Sequence, residues 1–399
     1  MLDFLKRKKK EKEPKKKRGF FRELLNDILF ALIAVTIIRG LFIEAYAIPT
    51  GSMENSMLIG DHLFVSKLHY GARTPRTLIQ FPLAHQTFWG LEINGKKIPS
   101  YSDAIQLPTG RLPGLRKVRR GEPVVFNYPP ELNHPVDIKT FYVKRCMAIA
   151  GDTFEVRNKQ IYVNGEAQEN PPNMQTSYFV ETERGVHKTM MQKVGVTDFD
   201  LNDGRGSAVA DNKLWGRGFV MHADSARAMQ MESINTVKSV QEIFYDTLRF
   251  GNSSFPNTTQ YLSAEHTGYQ AITKFGWTID NFGPLVMPSE GLTIPMTQEN
   301  IDLYRTIIEH YEDNENVVVE PGKVSIDGQE IKEYTFKQGY YFMIGDNRHN
   351  SADSRVWGFV PADHIVGKPL FIFWSMDRTD PEAGFFSRIR FSRMFDLIR

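Results

Sequence analysis

The sequence has a single cysteine, Cys146, in 399 residues. An internal disulfide, a multi-cysteine zinc cluster and an iron–sulfur site are therefore excluded. Cys146 sits in "KRCMAIAGD", an apolar alternating run where a free cysteine acts as a small core residue. Net charge is nearly absent: 49 Lys and Arg oppose 47 Asp and Glu, leaving +2. The charge that exists is concentrated at the start, where "KRKKKEKEPKKKR" (6–18) is a cationic block that cannot pack into a core and should be solvated. Also missing are the G-x-S-x-G elbow, H-E-x-x-H, the P-loop and G-x-G-x-x-G, and no serine is followed three positions later by lysine. These absences remove the usual hydrolase templates.

An uninterrupted apolar run of bilayer length is lacking too. "ILFALIAVTIIRGLFIEAYAIP" offers eleven uncharged residues from Ile28 to Ile38, then Arg39, then Leu41 to Ile43, against roughly 20 for a full span. The basic leader suits a retained anchor over 27–45 whose Lys/Arg side, 1–26, stays in the cytoplasm while the remainder is exported. A secretory signal peptide cleaved at "AYA" (45–47) and a buried helix of a soluble protein are the competing readings.

At this length, with 41% hydrophobic residues, two soluble lobes are expected. Beyond Pro49 the pattern is mainly β. "HLFVSKLHY", "EPVVFNYPP", "TFYVKRCMAIAGDTFEV" and "GYYFMIGDN" read as strands rich in Val, Phe and Tyr. Three hairpins are marked by Asn-Gly or Asp-Gly at "LEINGKKI" (91–98), "IYVNGEAQ" (161–168) and "VSIDGQEI" (324–331). Helix periodicity is clearest at 233–250 and 297–314, the second with a capping start from Thr297 to Glu299. An inserted α+β lobe over 161–335 would hold both helices. "NSS" at 252 and "NTT" at 257 match glycosylation sequons. The tail 381–399 interleaves Phe, Ile and Met with arginines, as either an interfacial helix or a covering segment of the core would.

Three polar clusters remain as candidates for chemistry: "AIPTGSMENSMLIGD" with Ser52 and Ser56, "YVKR" with Lys144 and Arg145, and "GDNRHNSADSRVWGFVP" (345–361). A serine with no histidine to activate it needs another base, unprotonated near neutral pH. Lysine serves if burial disfavours its ammonium. Alternation places Lys144 on the strand face of Tyr142, Cys146 and Ala148, with Phe141, Val143 and Arg145 on the other. By the residues alone, an exposed strand lysine stays open beside a buried base.

In order along the chain, an apolar anchor, "IPTGSMENSMLIGDHLFVSKLHYG", "RRGEPVVF", "FYVKRCMAIAGD" and "GDNRHNSADSRVWGFVP" resemble the bacterial type I signal peptidases, membrane-anchored serine proteases with a Ser/Lys dyad. The resemblance implies a β catalytic core over 46–160 and 336–380, with neither cofactor nor metal. It implies Ser52 as nucleophile, Lys144 as general base, Thr50 as an oxyanion-hole hydroxyl and Ser351 as the residue orienting the lysine. Arg145, Asp353 and Arg355 would form a supporting ion-pair network. Tyr46, Ala47 and Ile48 on one side and Phe141, Tyr142 and Val143 on the other would flank the substrate. Partners would be signal peptides of exported preproteins and the lipid bilayer, not nucleic acid. The location implied is the cytoplasmic membrane, with a single pass and the catalytic part outside. Two departures stand out: Glu54-Asn55 where a proline is usual, and His349 where an acidic residue is common. A dyad protease with a different regulatory target, or a silent scaffold of the same fold, would share most of these features.

Overall fold

A computed structural model describes residues 19–172, 174–199, 207–208, 210–212, 215–245, 254–256, 275–378 and 384–399. The basic block 6–18 and the sequon asparagines at 252 and 257 lie outside the described residues. Helix α1 (Phe20–Leu41) has 22 residues, none of them buried. At 1.5 Å per residue it is about 33 Å long, matching a hydrocarbon core of about 30 Å. It begins earlier and stops sooner than the expected 27–45. Its charged residues, Arg22, Glu23, Asp27 and Arg39, fall near the two ends and leave the middle apolar. Residues 43–45 belong instead to a strand of the core, so cleavage at 45–47 would disrupt a sheet edge.

Seven strands make the central sheet: β1 (Ile43–Ala47), β2 (Asp61–Ser66), β3 (Pro123–Asn127), β4 (Phe141–Ala148), β5 (Tyr340–Ile344), β6 (Val360–Pro361) and β7 (Ile365–Ser375). Their order is β1-β2-β7-β3-β4-β5-β6, and every pairing is antiparallel. β3 lies inside the sheet and all five of its residues are buried, which explains its continuous "PVVFN". β7 shifts register against both neighbours, and such bulges bend and twist a sheet. The curl brings edge strand β1 opposite β4, where the Tyr46 and Phe141 rings meet edge-on at 4.9 Å. The three hairpin turns take the left-handed backbone their sequences anticipate, at Asn94-Gly95, Asn164-Gly165 and Asp327-Gly328.

The segment expected as one inserted lobe divides in two. Strand Thr153–Arg157 pairs with Gln160–Val163 and with Phe282–Val286, so a boundary at 161 would cut a hairpin. Apolar residues of 275–336, including Ile301 and Ile307 of helix Gln298–His310, share one cluster with Met147, Phe154 and Phe342. The Thr297 side chain caps this helix, accepting from the Asn300 amide at 3.3 Å. A separate core, with Val180, Phe219, Met221 and Met231, underlies the sheet containing Thr176–Thr182, Gly216–Ala223 and Val237–Glu242.

The helix expected over 233–250 is not formed in its described part. Val237–Glu242 is a strand paired with Thr176–Thr182, the helix lies just before it at Ser225–Glu232, and 246–250 are outside the described residues. The misleading signal was the three-residue spacing of Ile234, Val237 and Val240. A register shift at Glu181/Thr182 supplies the extra residue that turns Val237 and Val240 toward the same core. The tail is also not a helix. Residues 384–399 form two short 3-10 turns laid along β7, with Phe395 N donating to Ile372 O and Ile398 N to Leu370 O. Arg393 pairs with Asp61 at 2.6 Å.

Candidate active site

The chain leaves β1 at Ala47 and returns in β2 through a loop whose base is closed by Ile48 N donating to Asp61 O (2.8 Å) and Gly60 N to Ile48 O (2.9 Å). Gly60 has φ +88°, and a Cβ there would lie 1.9 Å from the Met376 carbonyl oxygen, so only glycine fits. Within the loop Gly51–Met53 forms one 3-10 turn that presents Ser52, while Met53 and Met57 sink into the core. Asn55 has φ 68°, which a proline ring cannot adopt and asparagine tolerates.

Lys144, on β4, is 3% exposed. Its Nζ is in direct hydrogen-bond contact with Ser52 Oγ. The nitrogen lies 5.5 Å from the Tyr142 ring centroid. Burial lowers the Lys144 pKa to about 8, a shift partly opposed by the negative charges of Asp353 and Asp346. The alternation anticipated for β4 is realised: Phe141 and Val143 pack with the cluster beneath Met53, and Tyr142 and Cys146 with the one around Trp357. Cys146 is fully buried among apolar neighbours, as a core cysteine.

A groove of about 510 Å³ runs to this pair. Tyr46, Ala47 and Ile48 line one wall, Phe141, Tyr142 and Val143 the other, and Thr50 lies at the rim. Below Val143, β4 pairs with β3 but β5 joins only from Arg145 onward, so among the described residues the groove-side edge of 141–143 is without a neighbouring strand. Among the described residues β1 pairs only with β2. Thr50 is extended and exposed.

The ion-pair network anticipated as a single unit is two separate pairs. Arg145 donates to Asp346 through Nε (2.8 Å) and Nη2 (2.6 Å), and Arg355 donates to Asp353 through Nε (2.9 Å) and Nη2 (2.8 Å). Burial pushes the Asp353 carboxyl up, but Arg355 and the Gly345 amide outweigh it and hold its pKa below the usual range. Asp346, unassigned from sequence, also accepts from Ser56 Oγ at 2.5 Å, which occupies the second serine structurally. Asn347 fixes the nucleophile turn, its N–H donating to Ser52 O and its Nδ2 to Gly51 O, both at 3.2 Å. Both residues stood in the "GDNRHNSADSR" cluster. Nothing local distinguishes the carboxylate that meets Arg145 from the one that meets Arg355. Ser351 Oγ is buried against Gly345, where a Cβ would lie 2.2 Å from it and 2.6 Å from the Ser52 carbonyl oxygen. It has no hydrogen-bond partner among the described residues, so the expected bond to Lys144 is not formed.

A serine hydroxyl touching a buried lysine at the end of a β-walled groove is the arrangement of a serine peptidase. Comparison with known proteins specifies which kind. The family described as signal peptidase, peptidase S26, matches residues 21–225 and 298–374, and the chain belongs to it. It is 51% identical to signal peptidase I of Aquifex aeolicus over 354 residues, 89% of this chain and 84% of that protein. It is 24% identical over 372 residues to signal peptidase I of Buchnera aphidicola subsp. Acyrthosiphon pisum, covering 93% of this chain and 80% of that one. Signal peptidase I of Helicobacter pylori is 23% identical over 346 residues, or 86% and 79% of the two chains. The chain is thus a serine endopeptidase, mainly β, whose apolar N-terminal helix is consistent with membrane anchoring.

Proposed function

We propose that this peptidase removes N-terminal signal peptides from exported preproteins, with Ser52 as nucleophile and Lys144 as general base. The observation that carries the reading is the contact between a fully buried lysine nitrogen and the Ser52 hydroxyl. Neutral Lys144 accepts the Ser52 proton as Oγ attacks the scissile carbonyl. The Ser52 amide and the Thr50 hydroxyl are the proposed donors to the oxyanion. Lys144 then returns its proton to the leaving amine, giving an acyl-enzyme on Ser52. It next takes a proton from water, whose oxygen attacks the ester, and gives that proton to Ser52 Oγ as the C–O bond breaks, releasing the acid and restoring the hydroxyl and the neutral amine. Ser351, packed against Gly345 beside the Ser52 carbonyl, is the proposed lysine-orienting residue, and the Arg145–Asp346 and Arg355–Asp353 pairs hold the wall behind it.

The substrate lies extended between 46–48 and 141–143, whose free edges offer main-chain hydrogen bonds. Small side chains fit the space left by Tyr46 and Phe141. The basic leader stays in the cytoplasm, α1 spans the cytoplasmic membrane once, and the groove opens on its outer side, beside membrane-tethered substrates. Cleavage of a preprotein in detergent micelles tests the reading. Ser52→Ala and Lys144→Ala are each expected to lose at least about a thousandfold in kcat. Turnover close to that of the unaltered enzyme by either variant defeats the dyad.

A further inference from the structure

Asn347 holds the Ser52 turn, so what holds Asn347 bears on catalysis. The loop 346–348 lies parallel to the start of strand Thr176–Thr182: Gln175 N donates to Asp346 O (2.9 Å) and Arg348 N to Gln175 O (2.8 Å). A parallel ladder would continue with the Ser177 amide donating to the Arg348 carbonyl. That carbonyl instead accepts from Arg355 Nη2 at 2.5 Å. The Ser177 amide, in a fully buried residue, donates to the His349 ring at Nδ1, 2.9 Å away. A backbone N–H can only donate, so Nδ1 is bare and Nε2 carries the proton. Nε2 lies 2.8 Å from Asp280 Oδ1, with both side chains essentially inaccessible. Asp280 also accepts from the Tyr245 amide at 2.7 Å. It comes from 226–297, the stretch the family match leaves out.

The second departure from the family pattern points to the same sheet. Glu54, directly after Ser52-Met53, accepts from Thr197 Oγ1 at 2.8 Å. Both unusual residues therefore tie the nucleophile region to the inserted segment from opposite ends. An acidic residue at 349 would face the Asp280 carboxylate with like charge, whereas the uncharged histidine replaces the missing ladder rung and satisfies the carboxylate by donating to it.

We propose that the inserted sheet clamps the nucleophile turn through His349, a positioning residue, with Glu54–Thr197 as its second attachment. This rests on the peptidase reading above. The clamp accounts for a buried histidine outside the groove with both nitrogens committed.

The test uses the full-length protein in detergent, reading kcat and KM on a preprotein together with hydrogen exchange of the Asn347 and Arg348 amides. His349→Ala should lower kcat about tenfold or more with little change in KM, and should speed exchange at both amides. Asp280→Ala should shift both readouts in the same direction, and the double variant should fall short of the sum of the two single ones, because both remove the His349–Asp280 bond. Asp280→Asn should fall between the unaltered enzyme and Asp280→Ala, since a single carbonyl oxygen can accept from His349 Nε2–H or from the Tyr245 amide but not from both. Thr197→Val, which leaves the buried histidine intact, should shift kcat in the same direction by a smaller factor. Unchanged exchange at Asn347 and Arg348 in His349→Ala overturns the clamp, whatever the cleavage rate. Failure of the unaltered enzyme to cleave defeats the peptidase reading instead, and the exchange measurement still decides on the clamp.

Discussion

The pH dependence of cleavage is the sharpest consequence of the buried lysine. Only neutral Lys144 can take the Ser52 proton. With its pKa lowered from 10.5 to about 8, the neutral fraction at pH 7 is about 9%, against ~0.03% for a lysine left at its ordinary value, a gain of about 300-fold or ~3 kcal/mol. The assay is kcat/KM for a signal-sequence peptide lacking titratable side chains, measured in detergent from pH 6 to pH 10. The expected profile rises about tenfold per pH unit below 8 and levels off above it. The fold itself does not produce this limb. A lysine with a depressed native pKa makes the native state bind fewer protons than the unfolded chain between about 8 and 10.5, so its contribution to stability increases with pH there. A profile flat from pH 6 to pH 9, or one with its midpoint near 10.5, would refute the argument from burial.

Two further outcomes separate roles that the sequence leaves alike. Ser56→Ala should cleave at close to the normal rate and lose about 1–2 kcal/mol of stability by chemical denaturation, because Ser56 only donates to Asp346, which keeps Arg145. Lys144→Met should abolish cleavage and yet raise the melting temperature at pH 7, since it removes a buried amine whose ammonium is disfavoured there. A lower melting temperature would show that the contact with Ser52 outweighs the burial penalty.

The readily legible parts of the fold were those set by neighbours along the chain. Asn-Gly and Asp-Gly steps between alternating strands readily accept the left-handed backbone of a tight turn, so the three hairpins could be read directly. The strand alternation that put Lys144 beside Tyr142 is local for the same reason. The strand Val237–Glu242 was hidden because its helix-like spacing is reconciled with a sheet only by a bulge opposite Thr176–Thr182. The length of α1 was underestimated because an apolar run was counted where charges near both ends are compatible with one continuous helix.

By itself the sequence determined that two serines, a strand lysine and a polar loop were the candidates, that no cysteine cluster took part, and that the ordered motifs resembled one peptidase family. Only the tertiary structure decided that Ser56 meets Asp346, that Asp346 rather than Asp353 takes Arg145, and that His349 and Glu54 fasten the inserted sheet to the nucleophile turn. Residues 52 and 144, 145 and 346, and 280 and 349 are 92, 201 and 69 positions apart. Local pattern carries information about the backbone within a few residues. Which distant polar groups share a buried site depends on how the sheet curls and on which partners remain to satisfy each desolvated charge.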